Sequence, residues 1–236
     1  ETDTKAKVVG INGNMVSISF EGNVAMNEVG YVKVDDKKLK GEVIRIRGSV
    51  AQMQIYEMTN GIKAGDDVEF TGDLLSAQLG PGLLGQIYDG LQNPLPLVAE
   101  KAGFFHERGG YADSLSTTAK WDFTPITKPG DTVYRGDAIG SVPEGPFTHK
   151  ILVPFDMYGA YTVKEVTPAG SYTIEDTMAV LEDEKGKKHK ISMTFKWPVK
   201  RAVDCYAERL APTEAMVTKI RLVDTFFPVA RGGTYC

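Results

Sequence analysis

The 236 residues carry 27 basic and 31 acidic side chains for a formal net charge of −4, with 42% hydrophobic and 25% charged residues. That balance describes a globular chain able to bury one or two cores, and it argues against a nucleic-acid surface, which needs basic clustering. No apolar run approaches the ~20 residues a bilayer-crossing helix requires, and Glu1-Thr2-Asp3 does not begin a secretory signal, so membrane association is expected only through partners.

From residue 7 to about 73 the pattern is short alternating runs broken by turn residues. Val8, Val9 and Ile11, then Asn12-Gly13-Asn14, then Met15, Ile18 and Phe20 read as strand, tight turn and strand, because Asn-Gly tolerates the positive φ of a hairpin. Apolar residues recur at Val32 and Val34, at Val43, Ile44 and Ile46, and at Val50, Met53 and Ile55, with Asp35-Asp36-Lys37-Lys38 as a solvated hairpin tip. Residues 60–73 supply a last strand between glycine-aspartate turns. Regular short strands of this kind predict a small closed or nearly closed barrel.

Glycines 80, 82, 85 and 90 invite a phosphate-cradle reading, but no lysine follows at the required offset and no GxGxxG spacing is present. A close-packed crossover is expected instead. Leu83, Leu84, Ile87, Tyr88 and Leu91 recur at helical or turn spacing, and Asn93-Pro94 is expected to end that element.

Between about 109 and 190 the pattern returns to β. Gly130-Asp131, Val133, Gly136-Asp137 and Ile139-Gly140 place two turns around a short strand, a spacing shared with biotinyl- and lipoyl-carrier domains. Such a carrier needs a lysine at an exposed hairpin tip, and neither Lys128 nor Lys150 stands in a carrier setting. A sandwich of short strands is the reading kept. Strands are expected at 150–153 and 160–166, and 173–181 is expected to pair with 190–195 across a charged tip turned by Gly186.

Towards the end, Pro212-Thr213-Glu214 suggests a helix start, with Ile220, Leu222, Val223, Phe226 and Phe227 as its buried face. The stretch then runs through Pro228 to Gly232-Gly233-Thr234 in the manner of a chain approaching a phosphate-binding loop. Cys205 and Cys236 have neither a CxxC nor a framework spacing, which suits a reducing compartment. His106, His149 and His189 lie too far apart in sequence to suggest a metal site, and none is expected.

Four segments carry a resemblance to a known family. LGPGLLGQIYDGLQNPL, PGDTVYRGDAIGSVPEGPFTHKILVP, KWPVKR and ERLAPTEAMVTKIRLVDTFFPVARGGT resemble, in order and separation, the catalytic A subunit of rotary V-type and archaeal-type ATPases. The resemblance implies a mostly β fold. Residues 1–73 would be the amino-terminal β-barrel of the crown, and 110–188 a β-sandwich-like bulge insert, the non-homologous region. Residues 74–109 and 189–236 would then begin a RecA-like α/β nucleotide-binding domain. It further implies a P-loop just after Cys236, so that MgATP belongs to the parent protein and none binds this portion. No catalytic, cofactor-binding or metal-ligating residue is assigned within the 236 residues, and Lys219, Arg221 and Arg231 are taken as structural or surface charges. The implied partners are B subunits in an alternating hexamer, a central stalk and, through the bulge, a peripheral stalk, at the cytoplasmic face of a membrane. The implied activity is ATP hydrolysis or synthesis coupled to H+ or Na+ transport. The alternative is a stand-alone β-rich assembly protein without nucleotide chemistry.

Overall fold

Alternation of apolar and polar residues governs the first strands of the computed structural model, which describes residues 5–103, 108–206, 208 and 210–234. β1 (Lys5–Asn12) meets β2 (Met15–Glu21) with Asn12 opposite Met15, and Gly13 takes the positive φ of 61° that the turn needs. β3 (Glu28–Val34) and β4 (Lys37–Arg47) turn at Asp35-Asp36, and β5 (Val50–Ile55) and β6 (Val68–Leu74) complete a sheet of order β1-β2-β5-β4-β3-β6. The sheet curls until Lys7 bridges Asp67, bringing β1 back to β6. Its inward residues, Val8, Val16, Ile18, Val32, Leu39, Met53 and Ile55, form a dry core. The adjacent apolar pair Val43-Ile44 breaks the alternation because the register of β4 shifts between Val43 and Arg45. Val43 stays inside and Ile44 turns outward.

A second core is built from short strands. β7 (Ser76–Leu79) leads through a loop to α1 (Leu95–Ala102), followed by β8 (Trp121–Pro125), β9 (Thr132–Val133), β10 (Ala138–Glu144) and β11 (Phe147–Leu152). Then come β12 (Tyr161–Val166), β13 (Gly170–Tyr172), β14 (Ala179–Glu182), β15 (Lys188–Ile191) and β16 (Phe195–Pro198). One four-stranded sheet runs β11-β10-β8-β13 and another β15-β14-β12-β9, while β16 pairs with β7. Phe123, Ile139, Ile151, Val153, Val163, Ile174, Met178 and Leu181 fill the space between them. Gly140 is required by this packing, since a Cβ there would sit 2.1 Å from the Phe123 ring and 2.9 Å from the Thr124 carbonyl.

The two glycine-aspartate turns of this region share one construction. Lys128-Pro129-Gly130-Asp131 and Tyr134-Arg135-Gly136-Asp137 each hold glycine at positive φ, 97° and 84°, in the third turn position, as a type II turn demands. In each, the aspartate carboxylate accepts the amide of the first residue, at 2.7 and 2.8 Å. The glycine amide and aspartate carbonyl then grip both backbone groups of a buried valine. Gly130 and Asp131 hold Val163 at 2.8 and 2.9 Å, and Gly136 and Asp137 hold Val153 at 2.9 and 2.9 Å. Lys63-Ala64-Gly65-Asp66 repeats the device in the barrel, holding Val8 at 2.7 and 2.9 Å.

Of the helical or turn spacing at 83–91 the structure takes the turn, and the helix start expected at Pro212 is corrected. Residues 83–91 form turns, because the Asp89 carboxylate accepts the amides of Leu91 and Asn93 and the Asn93 side-chain amide, offering the backbone a local alternative to a helix. Pro94 precedes a helix instead of ending one, with the prolines at the start of α1 where their missing N–H costs nothing. Near Pro212 there is no helix start but β17 (Ala215–Met216), paired with β18 (Val229–Ala230). The helix there, α2 (Arg221–Phe226), begins later, where the Asp224 carboxylate accepts from Thr218 and Lys219. It buries none of its residues, and Ile220, Leu222, Phe226 and Phe227 are all exposed.

Residues Glu1–Ala202 form one compact unit and Val203–Cys236 another. β15 completes a sheet of the second core, so the strand pairing there runs past residue 188. Limited trypsin digestion is expected to cut at Lys219, Arg221 and Arg231 first, leaving a resistant product that ends near Arg201. Equal survival of both units would contradict the burial pattern. Gly140→Ala is expected to lower stability by about 2–3 kcal/mol, read as a shifted urea midpoint.

Candidate functional site

Polar side chains converge at two places, the glycine-rich loop after β7 and the KWPVKR segment. The glycine-rich loop after β7 has its amides pointed at a carboxylate of the same chain. Gly82 and Leu84 donate to Glu144 Oε1 at 2.7 and 3.2 Å, and His149 Nδ1 lies 2.7 Å from Glu144 Oε2. Glu144 is 6% exposed, and Gly82 packs beside Trp121 and Leu115. A carboxylate thus takes the position in which a phosphate reading would put a ligand, at charge-assisted hydrogen-bond distance. Tyr88, from the same loop, donates to the Ser114 carbonyl at 3.0 Å, and burial raises its phenol pKa.

A second convergence is the KWPVKR segment. Lys200 lies 2.7 Å from Glu42 Oε1 on β4, an ion pair by distance without hydrogen-bond alignment, while Tyr56 donates to Glu42 Oε2 at 2.9 Å. Burial and that bond to Glu42 hold the Tyr56 phenol protonated well beyond its ordinary range. Arg201 faces the other way, over the Trp197 ring at 5.2 Å and onto the Tyr158 hydroxyl, and its carbonyl accepts the Trp197 indole N–H at 2.8 Å. Adjacent side chains therefore tie the barrel and the second core to one segment. A third tie is Tyr111, which donates to Glu57 at 2.7 Å and accepts the Lys40 amide at 2.9 Å.

The sequence had singled out several other residues, and the structure keeps them apart. His149 serves Glu144, whereas His189 lies 3.2 Å from Asp183 and edge-on to Tyr161, and His106 is outside the described residues. The Asp183 carboxyl is held below its ordinary pKa by the Lys187 amide and then by His189. Lys128 opens a glycine-aspartate turn and Lys150 lies within β11, while the β10–β11 hairpin tip is Gly145-Pro146. No carrier lysine occupies that tip. Cys205 is half-buried and free, and Cys236 is outside the described residues. Lys219 joins the Asp224 turn through its backbone, Arg221 opens α2, and Arg231 pairs with Glu214 at 3.1 Å in full exposure. Gly232-Gly233 form a turn back to the Ala230 carbonyl, with Gly232 at φ 76°.

Comparison with known proteins accounts for this plan. Residues 8–72 match the model for the ATP synthase alpha/beta family, beta-barrel domain, and residues 112–200 that for the ATPsynthase alpha/beta subunit barrel-sandwich domain. The V-type ATP synthase alpha chain of Treponema denticola is 67% identical over 235 residues, 100% of this chain and 40% of that protein. The V-type ATP synthase alpha chain 1 of Treponema pallidum is 58% identical over the same shares, and the Borrelia recurrentis V-type ATP synthase alpha chain 53% over 99% and 41%. The chain belongs to the ATP synthase alpha/beta family. It spans about 40% of the length of the curated relatives it matches.

Within that family frame, the two matched domains correspond to the two cores, and Glu144 and Lys200 stand where segments between them are fastened. Sequence reasoning flagged the glycine loop and KWPVKR but missed Glu144, Glu42 and Tyr111. Each is polar in an otherwise ordinary strand or loop and becomes recognisable only through its partner. Glu144→Ala strands two amides beside a half-buried histidine and is expected to cost about 2–4 kcal/mol. Glu144→Gln, which keeps one acceptor, should cost about 1 kcal/mol. Denaturation followed by tryptophan fluorescence measures both, and equal, negligible effects would show that the loop does not depend on this carboxylate.

Proposed function

We propose that these residues are the assembly portion of the catalytic A subunit, or alpha chain, of a V-type or archaeal-type rotary ATPase. The parent would be an ion-transporting two-sector ATPase that couples ATP hydrolysis or synthesis to movement of H+ or Na+. The observation that carries the reading is similarity along the whole chain to proteins named V-type ATP synthase alpha chains, together with two domains of that family in order. In this reading residues 1–73 are the crown barrel, 110–188 the bulge insert, and 74–109 with 189–236 belong to the nucleotide-binding core. B subunits flank the barrel in an alternating hexamer, a central stalk turns within it, and the insert reaches towards a peripheral stalk. The complex would hold the chain at the cytoplasmic face of a membrane.

MgATP would be the parent's cofactor, and the residues described here do not fit it. The glycine-loop amides at Gly82 and Leu84 are taken by Glu144, and no lysine stands in that loop. Gly232-Gly233 close on their own backbone. Phosphate binding needs converging free amides and a cation, so no catalytic step is derived from these side chains. What they supply is a frame: a curled barrel, a two-sheet core and polar fastenings that join distant segments. Exposed Val9, Ile11 and Ile44 on the outer barrel surface support a role in contact with neighbouring subunits.

Two measurements test the proposal. The coding sequence beyond Cys236 is expected to continue into a Gly-x-Gly-Lys-Thr loop, and a frame without one would leave an assembly protein devoid of nucleotide chemistry. Calorimetric titration of the 236-residue chain with MgATP is expected to show no hydrolysis and no binding that depends on residues 80–90. A saturable isotherm tied to residues 80–90 would overturn the assignment of that loop.

A further inference from the structure

We propose that the cleft between the barrel and β16 binds a phosphate-bearing anion, held by Lys40, Lys196 and Arg201. The cleft has a volume of about 550 Å³ and these three cations line it, together with the hydroxyl-bearing Thr71 and Ser76. Lys40 comes from β4 opposite Tyr31, and Lys196 from β16 opposite Gln78, so two separate sheets bring the ammonium groups to one space.

What distinguishes Lys40 among the described lysines is that it is half-buried beside a second cation, Lys196. Several other lysines are paired, Lys7 with Asp67, Lys33 and Lys38 with Glu69, Lys164 with Glu182 and Lys200 with Glu42. Among the described residues neither Lys40 nor Lys196 has a carboxylate at ion-pair distance. Lys40 is half-buried, and its pKa is lowered first by that burial and then by the Lys196 charge. Asp89 acts on it only in the opposite sense, and its oxygens already accept three N–H groups of Leu91 and Asn93. The two carboxylates in the lining, Asp73 and Asp156, are exposed, and Lys40 is not pulled up by either.

Keeping two ammonium groups together with one of them half-buried opposes folding unless an anion enters. A phosphate group carries the charge and the oxygens to accept from both lysines. Arg201, held by its stacking on Trp197 and its bond to Tyr158, adds a planar donor whose position is already fixed. The space exceeds one phosphate group, so a diphosphate or phosphate ester fits as well as inorganic phosphate. The site stands or falls independently of the rotary assignment.

The test is titration of the full 236-residue chain at neutral pH and fixed ionic strength with inorganic phosphate and, separately, pyrophosphate. Calorimetry and the fluorescence of Trp197, itself in the cleft wall, give the readout. Saturable binding is expected, weakened about tenfold or more in Lys40→Met and in Lys196→Met. Lys40→Arg, which keeps the charge, should retain binding, and Lys185→Met at the distant hairpin tip should leave it unchanged. Saturation by both ligands would assign a single phosphate group, and saturation by pyrophosphate alone a phosphate chain. No saturation, or equal binding by the folded Lys40→Met and Lys196→Met variants, overturns the proposal. Circular dichroism of each variant separates loss of the site from loss of the fold.

Discussion

Three turns with one geometry hold the two cores in shape. In each, glycine at positive φ and the aspartate after it clasp the N–H and C=O of a buried valine: Val8 in the barrel, Val153 and Val163 in the second core. Val8 lies in β1, Val163 in β12 and Val153 just past the end of β11, and each clasp satisfies backbone groups that would be costly to bury without hydrogen bonds. The aspartate side chain stabilises the turn by accepting an amide within it, and the glycine allows the curvature no other residue adopts freely. Short strands that are marginal alone become a closed surface because these clasps replace missing ladder bonds.

On that frame, fastening falls to isolated carboxylates, Glu144 and Glu42 buried and Glu57 half-buried. Glu144 binds the glycine loop to the β10–β11 hairpin, Glu42 receives Lys200 and Tyr56, and Glu57 receives Tyr111 and the Gly109 amide. All three join segments distant in sequence. A buried carboxylate with several donors is stable where one without them is not, so each marks a place where two segments must meet together. The Val203–Cys236 unit differs in kind. Its helix has no side-chain cap and buries no side chain; Asp224 within it accepts from Thr218 and Lys219 of the preceding turn.

Much of this was legible in the residues. The alternation of Val32 and Val34 and of Met53 and Ile55, with turn pairs at Gly13-Asn14 and Asp35-Asp36, gave strands that the barrel contains. The charged tip around Gly186 joins β14 to β15 as the composition suggested. Helical spacing left 83–91 open between helix and turn and misled at Pro212. Leu83–Leu91 is governed by the Asp89 side chain, which competes for the backbone, and Pro212-Thr213-Glu214 leads into an extended pair with β18. Apolar spacing cannot tell a helix from a turn whose backbone bonds go to a side chain.

The sequence by itself determined the β character, the turn positions and the family, because these depend on residues near one another in the chain: period-two alternation, Gly-Asp and Asn-Gly pairs, and long motifs in order. Only the tertiary structure decided what the glycine loop holds, which lysines lack carboxylates, and which valines the turns grip. Those outcomes depend on Glu144 reaching Gly82 and on Lys40 meeting Lys196. Such pairings are long-range and use residue types common on any surface, so no local pattern announces them.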